Sequence, residues 1–261
     1  MVEIWFGGDL VVPVRDILEA YAPQAMIYQG PLATIRWVGN HDGWAPYPAW
    51  NAVDNRDVQT GGATSIHGDP DGDTWLPNEV DASLRSPSWF WNSTNQNKVL
   101  SLDDLIEIFY RSVGRGTQLL MNVAPDRTGL IPVADVERAQ EFGDEIRKRF
   151  GKALAETRGT GYRIELKFSK PMQLDHAILM EDISQGERVR EYELEGLRRG
   201  RWIPLARGTA IGQIRIQPFS SIEVEAIRVR TTSSSNLPIL RRLAVFATNV
   251  PPPKSWAAQP K

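Results

Sequence analysis

SLDDLIEIFYRSVGRGTQLLMNV, residues 101–123, holds two patterns in succession. The first part, 101–113, reads as a helix opened by Ser101 as N-cap, with acidic residues in its first turn. The second, QLLMNV (118–123), reads as a strand. Helix feeding strand is the repeat of a parallel sheet, because parallel strands are joined by crossovers rather than hairpins. The same alternation extends both ways. Towards the C-terminus, VADVERAQEFGDEIRKRFG (133–151) is a second helix, stopped by Gly151. Towards the N-terminus stand strand-like EIWF (3–6), helical VPVRDILEAYA (12–22), then strands AMIYQ (25–29) and IRWV (35–38). Four or five strands over about 150 residues are too few for a closed eight-stranded barrel, which needs about 250. An open doubly wound sheet is the other arrangement, but no glycine-rich phosphate loop follows any strand.

The pattern changes near residues 151–162. From about 160 to 248 the chain offers YRIELKF, HAILMED, RVREYELEGL, RWIPLA, QIRIQP, IEVEAIRVRTT and LRRLAVFA. Apolar and charged residues take turns in these runs, as in antiparallel strands with one buried face, and turns recur at the spacing of a β-sandwich. VPPPKSWAAQPK (250–261) is a proline-rich tail, expected to be unstructured.

Composition narrows the function classes. With 30 Lys+Arg against 32 Asp+Glu and no long basic block, nothing favours nucleic acid or an anionic membrane as partner. The absence of cysteine excludes disulfide and thiolate chemistry. No run of about eighteen apolar residues and no basic-then-apolar leader is seen, so the chain reads as neither membrane-spanning nor visibly secreted. No metal or other cofactor is expected: His41, His67 and His176 sit in separate segments. The loop HGDPDGDTW (67–75) has alternating acids but no closing glutamate for calcium. Nine Trp are present, six of them (Trp37, Trp44, Trp50, Trp75, Trp89, Trp91) between residues 37 and 91. Aromatic faces suit the C–H surfaces of sugars, and core packing is the plainer use of the same residues.

Four segments in order carry a family resemblance: EIWF (3–6), GPLATIRWVGNHDGWAPYPAWNAV (30–53), WLPNEVDASLR with SWFW (75–91), and SVGRGTQLLMNVAPDRTGLI (112–131). Together they resemble the family 29 glycoside hydrolases, the α-L-fucosidases. EDISQGERV (181–189) and GTAIGQIRIQ (208–217) resemble the β-sandwich that follows the barrel in those enzymes. The resemblance implies an incomplete (β/α) TIM-type barrel over 1–155, an antiparallel β-sandwich over 156–249 and the tail over 250–261. It implies an α-L-fucosidase-like hydrolase acting on terminal α-L-fucose of glycans. EIWF would be about the fourth barrel strand, so the strands that usually bring fucose-gripping histidines are expected to be missing.

The family's nucleophilic Asp follows the W-F pair, where this chain has Gly7, and its acid/base Glu in the G-N-E branch is here His41. His41 itself as general acid or base, Glu79 and Asp9 are the candidate substitutes, with a loop histidine filling the space of the lost Glu the alternative for His41 and a turn-forming role the alternative for Asp9. Arg36 is expected to organise the site through a carboxylate, or to form an ordinary barrel ion pair. Trp5, Trp37, Trp44, Trp89 and Trp91 are the expected sugar-facing residues. Without two carboxyl groups at the expected places, hydrolysis is expected to be weak or absent. A fucoside-binding pseudoenzyme and a fragment completed by another chain stay open, and unpaired strand edges predict a homo-oligomer. Family relatives are often secreted or periplasmic, whereas no signal peptide is visible here, so the compartment is left open.

Overall fold

A computed structural model describes residues 3–6, 12–28, 32–54, 67–250 and 253 of the chain. Gly7 and Asp9, and nearly all of the proline-rich tail, lie outside the described residues.

The N-terminal part is built on parallel pairs. β1 (Glu3–Trp5) pairs with β2 (Met26–Tyr28), and α1 (Arg15–Tyr21) lies between them in the chain. A parallel bridge from Tyr28 to Ile35 passes the pairing to β3 (Arg36–Trp37). A short antiparallel excursion, β4 (Ala52–Val53) with β5 (Thr74–Trp75), interrupts the series. β3 then pairs with β6 (Asn78–Ser83), and β6 with β7 (Gln118–Asn122), both in parallel. Spatial order therefore follows chain order without reversal. That is the winding of a β/α barrel; a doubly wound sheet reverses direction at its switch point.

β6 is a strand that periodicity does not offer. All six of its residues, NEVDAS, are buried, and four are polar. α2 (Leu102–Arg111) follows it, held at its start by a capping box in which Ser101 Oγ accepts from Asp104 N at 3.1 Å. Its buried face, Leu105, Ile106, Ile108 and Tyr110, divides between two cores. Leu105 and Ile108 pack on Ala82 and Leu84 under the strands, while Ile106 and Tyr110 pack with Ile178, Ile216 and Phe246 beyond them. α3 (Val133–Phe150) adds Phe142, Ile146 and Phe150 to that second cluster.

The remaining strands form one antiparallel sheet in the order β11 (Arg201–Gly208), β10 (Val189–Arg198), β12 (Arg215–Ser234), β9 (Arg163–Glu181), β13 (Ile239–Phe246), β8 (Ala155–Thr160). YRIELKF and HAILMED are halves of one 19-residue strand, β9, and QIRIQP and IEVEAIRVRTT are halves of the 20-residue β12. Their mutual register breaks between Pro218 and Ile222 and again between Val224 and Ala226. Both halves of β9 contribute to one core, Ile164 and Leu166 from the first, Leu174 and Leu179 from the second. The sheet thus folds over itself and encloses a sandwich core.

Polar bonds cross between the two parts. Tyr110 Oη meets His176 Nε2 at 2.8 Å, and His176 Nδ1 meets Asp175 Oδ1 at 2.7 Å. Tyr47 Oη donates to Ala210 O at 2.8 Å and lies under the Arg215 guanidinium, 3.7 Å from the ring centroid. Asn51 donates its backbone N–H and its side-chain amide to Glu187, at 2.9 and 2.7 Å.

Candidate active site

The register of β3 with β6 sets two faces. Trp37 lies beside Glu79 and Arg36 beside Asn78, and alternation places Asp81 on the face of Trp37 and Glu79. On that face Asp81, fully buried, accepts from Trp37 Nε1 at 2.8 Å and meets His41 Nδ1 at 2.6 Å. The His41 ring is itself held between aromatics: its centroid is 5.0 Å from Trp37 and 5.4 Å from Trp89. Its side chain is nevertheless 64% exposed, so one edge meets the buried carboxylate and the other faces out.

Two loops hold these rings. After β3 the chain turns through Gly39 and Gly43, both at positive φ. Asn40 Oδ1 accepts from Asp42 N at 3.1 Å and Trp44 N at 3.2 Å, and its amide donates to Trp44 O. A Cβ on Gly43 would stand 2.8 Å from Ala82 Cβ and from Ile108 Cγ2, so only glycine brings this loop so close to β6. After β6, Ser83 Oγ donates to Ser88 O at 2.6 Å and Asn122 Nδ2 to Trp89 O at 2.7 Å, fixing the backbone on either side of Trp89. Behind this loop the buried Arg85 forms a fork on Asp135 and donates to Asn95 O and Gln96 O.

Deeper on the same face, Glu79 is buried, and burial followed by the neighbouring Glu3 and Asp81 carboxyls pushes its carboxyl up to about 8. It is hydrogen-bonded to Glu3, whose Oε1 accepts from Trp5 Nε1. Trp5 stacks flat on Tyr28 with centroids 3.8 Å apart. Glu79 is therefore a neutral acid at pH 7, and β1 and β6 are joined through it.

The other expected residues fall elsewhere. Arg36 is buried on the opposite face, donating to Trp50 O and Asn78 Oδ1. Burial lowers its guanidinium to about 10, opposed by Glu187. Trp44 is half-buried under Arg111, 4.2 Å from ring centroid to guanidinium carbon, beside a cleft of about 240 Å³ that His41 also lines. Trp91 is half-buried further along the Trp89 loop. Among the described residues no three His, Asp or Glu side chains converge to hold a cation. His67 meets Pro48 O at 2.7 Å, and its loop closes through Asp69 Oδ1, which accepts from Asp71 N.

Asp81 and Glu3 are the members that the sequence did not single out. Asp81 sits inside WLPNEVDASLR, two residues from Glu79, and the period-two spacing of a strand is the signal that would have joined them.

Proteins similar to this chain in sequence and fold include α-L-fucosidases. The α-L-fucosidase family model matches residues 51–149. A curated rice (Oryza sativa subsp. japonica) relative named "Putative alpha-L-fucosidase 1" is 27% identical over 94% of this chain and 53% of its own length. A crystal structure of a "putative alpha-L-fucosidase" from Bacteroides thetaiotaomicron superposes with a TM-score of 0.88 at 31% identity, covering 95% of this chain and 60% of that one. A Ruminococcus gnavus GH29 fucosidase in complex with fucose shares the fold, with a TM-score of 0.78 at 24% identity over 94% of this chain and 60% of its own. The chain thus spans between about half and three fifths of the length of these relatives. Family model, sequence and fold together support a member of family 29 of the glycoside hydrolases, the α-L-fucosidase family.

Proposed function

We propose that the chain carries a fucoside-directed site of family 29 type, which engages terminal α-L-fucose of glycans and turns it over slowly. The observation that carries this reading is the group of Trp37, Trp89 and outward-facing His41 around the buried Asp81, on two parallel strands and the loops that follow them. A β/α barrel keeps its working residues at that end of its strands. Flat rings offer stacking surface to a sugar, and the imidazole edge offers a hydrogen-bonding and proton-transfer group.

Slow turnover is the reading because retaining hydrolysis uses two carboxyl groups about 5–5.5 Å apart. Gly7 stands where the family's nucleophile follows W-F, and His41 where its acid/base follows G-N. In this reading residues 1–155 form part of a barrel and 156–249 the sandwich that supports it. The site is tested with an aryl α-L-fucoside and with fucose itself. Slow release of the aryl alcohol, and binding of L-fucose in the millimolar range with no response to galactosides, are expected. Binding without release would leave a lectin-like role; neither binding nor release would sink the reading.

A further inference from the structure

We propose that Asp81 is the positioning residue of a histidine–aspartate couple, and that His41 Nε2 is the atom that exchanges a proton with the glycosidic oxygen. This deepens the fucoside-directed reading and rests on it.

The geometry is that of a prepared proton-transfer group rather than of a surface ion pair. The Asp81 carboxylate is fully buried and both its oxygens are engaged, Oδ1 by the Trp37 indole N–H at 2.8 Å and Oδ2 by His41 Nδ1 at 2.6 Å. A carboxylate only accepts, so the second bond requires the imidazole hydrogen on Nδ1. In the neutral ring the lone pair then lies on Nε2, at the opposite edge. Trp37 acts twice, since its N–H orients the carboxylate and its face limits rotation of the imidazole. Trp89 flanks the ring from the next loop, and the bonds to Ser88 O and Trp89 O hold that loop in place. Among the described residues, every group that fixes the ring thus lies on its Nδ1 side or against its faces. With the side chain 64% exposed, the Nε2 edge is left to solvent or substrate.

In the forward step the protonated ring gives its Nε2 proton to the exocyclic oxygen as the bond from that oxygen to the anomeric carbon breaks. The bonding electrons stay on the leaving oxygen, and water or an added anion forms the new bond to carbon. The neutral ring, still bonded to Asp81 through Nδ1, regains its proton from the attacking water or from solvent. A fluoride leaving group needs no such proton, which separates this role from simple substrate binding.

The test uses the full chain with azide as a common attacking anion. Wild type, His41→Gln and Asp81→Asn are compared on α-L-fucosyl fluoride and on an aryl α-L-fucoside with a poor leaving group. Asp81→Asn keeps an oxygen for Trp37 but turns an N–H₂ towards His41, which reverses the tautomer and removes the Nε2 lone pair. In both variants kcat on the aryl fucoside should fall about 100-fold with KM little changed, while fluoride turnover changes less than about threefold. Nitrogen NMR of the imidazole should show Nδ1–H in the wild type and Nε2–H in Asp81→Asn. Equal losses on both substrates, no loss on either, or an Nε2–H wild-type ring would overturn the couple and leave the fucoside reading standing. No turnover of the fluoride by any folded protein would overturn the couple, and no binding of L-fucose besides would overturn the fucoside reading as well.

Discussion

Glu79 keeps its proton to about pH 8, whereas an ordinary glutamate gives it up near 4.5. Burial is the main cause, and Glu3 and Asp81 beside it add to the shift. The raised carboxyl makes the folded state bind more protons than the unfolded chain between those values, so this residue's contribution to stability declines as pH rises through that window and is lowest above pH 8. Replacing it by Gln keeps the shape and the neutral charge. The Tm of Glu79→Gln should therefore change less between pH 5 and 8 than that of the wild type, by on the order of 5 °C, as followed by circular dichroism. Parallel melting curves would mean that Glu79 ionises freely. A second residue-scale expectation concerns Gly7. If it stands in the nucleophile's place, Gly7→Asp should raise hydrolysis of an activated aryl fucoside well above the parent, while added azide helps the parent and not the variant. A folded Gly7→Asp protein no more active than the parent would move the nucleophile's place elsewhere.

Among the elements, the turn from β3 towards Trp44 leaves no room for a side chain at Gly43. Gly43 sits at φ +72° with Ala82 and Ile108 against the place of a Cβ. Gly43→Ala should cost about 2–3 kcal/mol in denaturant unfolding and weaken fucoside binding, because the loop must lift His41 off Asp81. The elements around this turn differ in how legible they were from local pattern. Helix–strand alternation made α2, β7 and α3 readable, with bounds close to those observed, because the helices space their apolar residues along one face and β7 is a short apolar run between them. β6 has no such contrast: Asn78, Glu79, Asp81 and Ser83 are polar and buried, and Asn78 and Asp81 take side-chain partners distant in the chain. No local pattern announces a partner some 40 residues away, as His41 is from Asp81. His41 was therefore legible as a candidate and Asp81 was not. The runs of the sandwich were legible as strands, but the joining of two pairs into β9 and β12 was not, since Pro171 and Pro218 lie inside strands that bend rather than stop.

At the scale of the molecule, β1 pairs only with β2 and β7 only with β6 among the described residues, so the parallel row has two edges. Unpaired strand edges seek partners. A dimer or larger assembly in light scattering is the expected outcome, and a clean monomer at high concentration would mean that the edges are covered within one chain. The bonds from Tyr110 to His176, from Tyr47 to Ala210 and from Asn51 to Glu187 carry a different consequence. Each spans the two parts, and the apolar cluster between them draws Ile106, Tyr110 and Phe150 from one side and Ile178, Ile216 and Phe246 from the other. Neither part closes its own core there. The two therefore melt as one cooperative unit: a single calorimetric transition is expected, and a chain cut after residue 154 should collect as insoluble protein rather than as a free-standing half.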